Sequence, residues 1–346
     1  MTGTFESSEA GSASRAATAV QLITVIAPLR NEADNVDGFV VDLESQDFEG
    51  DVEVLVADGG STDGSPERLA RAAAAAGVSL RVLENPERIV STGLNRCIGA
   101  ARGQLIVRMD CHSRYPSDYL RHCATAALAT GAWNVGGVLE PSGITRTERA
   151  VACAMDSPFG GIGWTSAASR PERSEVDTLT FGAFPPHVFT RVGLFDERFV
   201  RNQDDELNVR IRRAGGRVVL DPSIRVLYRP RGSLRGVSRQ YYDYGRWKVP
   251  VMRKHRQVLS PRSLTPLAFV VATVLLAVAA PFSESARWLL GAELGVYVAG
   301  ALVFGAAALR RRGEPIRLLP RVLATYPAFH VAYGVGMAVG FVRGAR

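Results

Sequence analysis

From Leu264 to its end the chain carries three long apolar runs in succession, which a water-soluble fold has little use for. Leu264 to Phe282 is 19 residues without a charge. Trp288 to Leu309 is apolar but for Glu293, and Val322 to Val342 is apolar but for His330. A helix needs about 20 residues to cross a bilayer, so each run is long enough to span. Pro266, Pro281 and Pro327 do not argue against this, because spanning helices tolerate proline. Gly336-x-x-x-Gly340 offers a close-packing face for a helix partner. Basic residues precede the first run (Arg253, Lys254, Arg256, Arg262) and recur between the second and third (Arg310, Arg311, Arg312, Arg317). Between the first two there is only Arg287, offset by Glu284. The positive-inside rule therefore places the preceding part of the chain in the cytoplasm, at the cell (inner or plasma) membrane. Arg321 cuts the start of the third run, which fits an interfacial helix as well as a span.

The preceding part has a different rhythm. Residues 1–20 are rich in Ala, Ser, Gly and Thr without an apolar core, as expected of a disordered tail and not of a secretory signal. Leu22–Ala27, Val52–Ala57, Leu80–Leu83 and Leu105–Val107 are short apolar, β-branched runs. Helical stretches separate them: Asn35–Leu43, Pro66–Ala76 and Ser91–Ala101. Strand and helix in alternation predict an α/β fold with a parallel sheet covered on both faces. Beyond Pro116 a helix to about Thr130, a strand over Asn134–Leu139 and a long loop over 156–180 follow. A helix from Asn202 to Gly215 comes next, then two short strands (Arg217–Leu220, Ile224–Leu227) and an Arg- and Tyr-rich amphipathic helix over Ser233–Val249. The expected organisation is a tail over 1–20, an α/β domain over 21–250 and a membrane region over 251–346.

The formal net charge is +7 and comes mostly from clustered arginine, which suits phosphates or an anionic membrane surface. No helix-turn-helix, zinc-finger or ribonucleoprotein signature accompanies it, so nucleic acid is not an expected partner. Cys97, Cys111, Cys123 and Cys153 lack metal or redox spacing and read as reduced thiols.

Chemistry-bearing residues fall on successive loops after these strands. Pro28 to Glu32 follows the first strand and Asp58 the second. Asp110-Cys111-His112 follows the fourth, and Asp204 opens a later helix. In extended chain, side chains two apart point the same way, so Asp110 and His112 converge at the strand's carboxyl end. Open α/β sheets bind ligands at that end, and an Asp with a His can hold a divalent cation. The plainer alternatives are an Asx turn at Asp58, a turn-capping Asp110 and a dipole-favoured acidic cluster at Asp204. No Gly-x-Gly-x-x-Gly follows the first strand, which disfavours a dinucleotide-dependent dehydrogenase.

Five segments together resemble the family 2 glycosyltransferases, which have a GT-A fold. They are Ala27-Pro-Leu-Arg-Asn-Glu32, Val56-Ala-Asp58-Gly-Gly-Ser61-Thr-Asp63-Gly-Ser65, Arg108-Met-Asp110-Cys-His112, Gln203-Asp204-Asp-Glu206-Leu and Tyr244-Gly-Arg246-Trp247-Lys248. Within that family the chain is most similar to membrane-attached, succinoglycan-type transferases of exopolysaccharide synthesis. The resemblance implies a mixed, mostly parallel sheet and an inverting transfer from a nucleotide-diphospho-sugar, with UDP-sugar as the expected donor. The acceptor would be a lipid-linked or growing surface glycan. It also implies roles: Pro28, Arg30 and Glu32 around base and ribose, Asp58 with Ser61 and Asp63 on the nucleotide, and Gly93 and Asn95 in the donor site. Asp110 and His112 would hold Mn²⁺ or Mg²⁺. Asp204 would be the general base with Asp205 its rival, Glu206 would orient the site, and Arg246 and Trp247 would meet diphosphate and acceptor. Three departures stand out: His112 where the family usually has a second Asp, Gln203 where relatives carry Glu, and Asp243 at the Gln of Gln-x-x-Arg-Trp. A polyprenyl-phosphate sugar synthase and a non-enzymatic nucleotide-binding membrane scaffold are the competing readings.

Overall fold

A computed structural model of the chain describes residues 20–160, 172–258 and 261–343. The tail expected over 1–20 lies, Val20 apart, outside the described residues, as does the middle of the expected 156–180 loop.

Among the described residues the chain runs β1 (Leu22–Leu29), α1 (Val36–Glu44), β2 (Asp51–Asp58), α2 (Ser65–Ala75), β3 (Leu80–Glu84), α3 (Val90–Ala100), β4 (Leu105–Arg108), β5 (Ser113–Arg114), α4 (Tyr119–Thr130) and β6 (Asn134–Pro141). Then come α5 (Arg146–Met155), β7 (Ser174–Glu175), β8 (Ala183–Phe184), α6 (His187–Val192), α7 (Gln203–Arg213), β9 (Val218–Tyr228), α8 (Leu234–His255), α9 (Thr265–Ala279), α10 (Glu284–Arg311) and α11 (Leu319–Arg343). The strands form one mixed sheet in the order β3-β2-β1-β4-β8-β6-β9-β5, with β7 also on β9. Neighbours from β3 to β4 are parallel, β8 is antiparallel to β4 and β6, and β6 runs parallel with β9. Alternation along the strands divides the core between two faces. Ile23, Val25 and Ala27 meet α1, α2 and α4 through Phe39, Leu69 and Tyr119. Ile26, Leu55 and Ala57 meet α3, α6 and α7 through Leu94, Phe189 and Leu207.

Three sequence expectations change. The two short strands over 217–227 are one strand, β9. Pro222 is absorbed because the pairing with β6 shifts register between Gly136 and Val138. Helix α5, unassigned from sequence, opens on a capping box in which Thr145 and Glu148 satisfy each other's backbone N–H groups. The domain boundary expected at 250 falls inside α8, which continues through Pro250 to His255.

The last change matters for the membrane region. Helix α8 lies parallel to α11 in close contact: Tyr241 stacks on Phe329 at 4.1 Å between centroids, and Arg253 Nη2 donates to the Phe341 carbonyl at 2.6 Å. Gly245 abuts Tyr333, and Gly336 and Gly340 abut the carbonyls of Tyr242 and Arg246. The Gly-x-x-x-Gly face of α11 is thus used within the chain. The other half of α11 packs Val322, Tyr326 and Phe329 on α5. Helices α9 and α10 form an antiparallel hairpin, with Phe269 stacked on Tyr297 and Thr273 donating to Glu293. Among the described residues three helices are long and apolar enough to cross a membrane: Pro261–Ala279 (with its leading turn), Glu284–Arg311 and Ile316–Arg343. Their buried share rises from 0% through 22% to 44%, so the third is the one built into the α/β body.

Candidate active site

Two loops at the carboxyl ends of β1 and β2 are laced together. Asp58 ends β2 opposite Leu29 and accepts from the Ser61 hydroxyl at 2.6 Å and the Ser61 N–H at 3.1 Å, an Asx turn. Ser61 Oγ in turn accepts from the Asn31 N–H, and Asp63 accepts from the Ala33 and Ser65 N–H groups. Asn31 takes a positive φ of 54°, and its side chain accepts from the Thr62 N–H. Pro28 is half-buried and Arg30 exposed on this rim, with the Arg30 stem beside Gly59. Arg88, which the sequence reading passed over, lies beside Gly59 and Gly60 in a positive-φ conformation (61°).

The chain leaves β4 at Arg108 and turns at once, with the Ser113 N–H bonded to the Asp110 carbonyl. Asp110 and His112 therefore sit in a turn and not in the extended chain expected. Asp110 is buried, with its backbone N–H donated to the Tyr115 hydroxyl at 2.6 Å. The His112 side chain is 43% exposed, its Nδ1 3.6 Å from Glu32 Oε1. Glu32 also accepts from Asn35 at 2.6 Å.

Arg108 closes the centre of the site. Its Nε and Nη2 donate to the two Asp110 oxygens at 2.8 and 2.9 Å. Its Nη1 donates to the Asp204 oxygens at 2.8 and 2.9 Å. One buried guanidinium thus gathers the carboxylate after β4 and the carboxylate at the start of α7, the latter 96 positions from Arg108 itself. Burial pushes the Asp204 carboxyl above its ordinary value, against the pull of Arg108. Burial acts the same way on Asp110, but there Arg108 outweighs it and the carboxyl falls below its ordinary value. Asp58 lies two strand spacings from this pair, roughly 10 Å across β1.

Other expected site residues go elsewhere. Asp205 pairs with Lys248 of α8 at 2.7 Å and not with Arg108, which separates it from Asp204. Glu206 is fully buried among Arg210, Lys254 and His255, and so braces α7 against α8 away from solvent. Asn95 spends its amide on Phe195 and Glu197, shaping the loop before α7. Gly93 sits in α3 where a Cβ would meet Asn85 at 2.9 Å, a packing requirement. Arg246 and Trp247 are half-buried on α8, and Lys248 of the same turn reaches Asp205.

The family model for glycosyl transferase family 2 matches residues 24–197, the stretch that carries β1 through β8 and Asp110. The chain belongs to glycosyl transferase family 2. It is 30% identical over 325 residues to the succinoglycan biosynthesis protein ExoA of Rhizobium meliloti (strain 1021), covering 90% of this chain and 92% of that one. It is 21% identical over 338 residues to a dolichyl N-acetyl-α-D-glucosaminyl phosphate 3-β-D-2,3-diacetamido-2,3-dideoxy-β-D-glucuronosyltransferase of Methanococcus voltae, covering 94% and 98%. Among solved structures, mannosyltransferase PcManGT from Pyrobaculum calidifontis, in complex with GDP-Man and Mn²⁺, superposes with a TM-score of 0.62 at 22% identity, covering 89% and 86%. The family 2 chain is therefore a glycosyltransferase of GT-A-like fold.

Proposed function

We propose that this glycosyltransferase moves a sugar, with inversion, from a nucleotide-diphospho-sugar to a lipid-linked or growing glycan at the cytoplasmic face of the cell membrane, in polysaccharide synthesis. The observation that carries the reading is the pair Asp110 and Asp204 on one buried Arg108 fork. Inverting transfer needs a donor diphosphate held beside one carboxylate that takes the acceptor proton.

Asp204 is the base. Burial holds its carboxyl above the ordinary value in spite of Arg108, which strengthens it as a proton acceptor. Asp58, with its carboxylate fixed by Ser61, accepts from the nucleoside, and Pro28, Arg30, Glu32 and Arg88 line the same rim. Lys248 neutralises Asp205 and leaves Asp204 as the acid aimed at the acceptor.

Among the described residues no three His, Cys, Asp or Glu side chains cluster as a metal cage. The donor types suit a divalent cation, one carboxylate (Asp110) and one imidazole (His112), and each Asp110 oxygen, accepting a single hydrogen bond from Arg108, keeps a lone pair for an ion. Asp110 and His112 would hold Mn²⁺ or Mg²⁺, and the bound ion would offset charge on the leaving nucleotide. Mn²⁺ binding in the Pyrobaculum mannosyltransferase supports this reading.

The membrane helices support a lipid-linked acceptor. The two ends of the α9–α10 hairpin both lie at the catalytic body: Gly334 of α11 meets Pro266, while Arg311 and Arg312 donate to the carbonyls of Asp156 and Pro141. Both basic clusters are therefore on the domain side, as a cytoplasmic domain requires. The test is nucleotide release by purified protein from a panel of nucleotide sugars with Mn²⁺. Release from one donor, lost in Asp110→Ala, is expected; silence across the panel would refute it.

A further inference from the structure

We propose that Arg108 is a positioning residue of the transfer reaction: it fixes the Asp204 carboxylate against the donor-side carboxylate Asp110, so that the base keeps its place and rotamer relative to the donor. The inference rests on the transferase reading of the Asp110–Asp204 pair.

Three observations carry it. First, the geometry is a double fork. Arg108 is 7% exposed at its side chain and commits four hydrogen bonds of 2.8 to 2.9 Å to two carboxylates from distant elements. A planar guanidinium sets the relative placement of two carboxylates in a way the single ammonium of a lysine cannot. Second, stability does not explain it. A buried ion pair is a weak source of stability, because an apolar replacement of the whole group is often neutral or stabilising. The other β4 positions, Leu105, Ile106 and Val107, are indeed apolar. Third, α7 does not depend on Arg108 for attachment. Lys248 holds Asp205, and Lys254 and His255 hold Glu206, so the first turn of α7 is already tied to α8. What Arg108 adds is the direction of one side chain, Asp204. The Phe181 ring, 5.6 Å from the Arg108 guanidinium carbon, backs the fork and limits where it can swing.

Two experiments decide. In the first, Arg108→Met and Arg108→Ala are compared with wild type for turnover and for binding of UDP and GDP with Mn²⁺. The expected result is a loss of turnover of about 100-fold, the scale of a 1 Å misplacement, with affinity for the nucleotide that wild type binds changed less than threefold. Added guanidinium ion should restore part of the turnover of Arg108→Ala, and urea should not. Turnover of Arg108→Met within threefold of wild type, or a loss wholly in nucleotide affinity, would overturn the proposal. The second needs no turnover. Thermal unfolding of Arg108→Met, Asp204→Asn and the double variant should be non-additive, because both single changes break one contact. Strict additivity would overturn the placement of Arg108 against Asp204. Silence of wild type with every donor would sink the transferase reading, and the unfolding cycle would still judge the pairing.

Discussion

Replacing Gly336 by alanine tests whether α11 is part of the catalytic body. A Cβ at Gly336 would lie 2.1 Å from the Tyr242 carbonyl oxygen of α8, where real Cβ contacts stay above 3.0 Å. The two helices must therefore separate by at least 0.9 Å at that point. Overpacking of this kind costs about 1–3 kcal/mol. The displacement travels further than the seam. Helix α8 carries Lys248, bonded to Asp205, and Lys254 and His255, bonded to Glu206, so a shift of α8 pulls on the turn that presents Asp204. Misplacement of a reacting group by ~1 Å costs on the order of 100-fold in rate. The assay is thermal unfolding and nucleotide release in detergent, with Gly295→Ala as control. Gly295 faces open space on α10, and alanine there is neutral or stabilising by up to ~1 kcal/mol. Gly336→Ala should lower the melting temperature and the rate together. A variant that melts and turns over like wild type would show that the α8–α11 seam does not govern the site.

Glu206→Gln leaves Arg210 without its anion and Lys254 with Asp196 alone, and should cost roughly 3 kcal/mol, the lower end for a broken buried pair because both cations keep partial exposure. Burial raises the Glu206 carboxyl, but Arg210 and Lys254 outweigh it and the folded value lies below the ordinary one. The stabilisation is then full above the ordinary carboxylate value and is lost as pH falls through the folded one. Unfolding measured against pH should show wild type converging on Glu206→Gln in acid; a constant gap would contradict this. Asp58→Ala should raise the donor KM with little change in kcat in steady-state assays, since Asp58 sits on the β1–β2 rim proposed to hold the nucleotide and not beside Asp204.

The alternation of strands and helices from Leu22 to Leu105 was legible because β-branched runs and helix stops agree locally, and the apolar runs announced themselves by length. Less legible was what depends on pairing between distant segments. The extended-chain reading of Asp110 and His112 failed because the chain turns directly after Arg108, and the Tyr115 hydroxyl that braces the turn gives no periodic signal. Arg108 stood inside a quoted segment and was passed over, since a lone arginine at a strand end looks like a surface residue. Only the fold brings α7 onto it. Glu206 was assigned to the site by its place in a motif and Asn95 by its place near the start of a helix, yet their polar groups are consumed by α8 and by the loop before α7. Lys248 gave a usable signal, being next to Arg246-Trp247 on an amphipathic helix. The Gly336-x-x-x-Gly340 face was visible, but its partner, α8, was not.

The most direct test of the account is nucleotide release by wild type and Asp204→Asn from a panel of nucleotide sugars, with Mn²⁺ and a membrane-glycan acceptor. The account predicts release by wild type from one donor, and loss of sugar transfer in Asp204→Asn with nucleotide binding retained. Transfer by Asp204→Asn at the wild-type rate would contradict it.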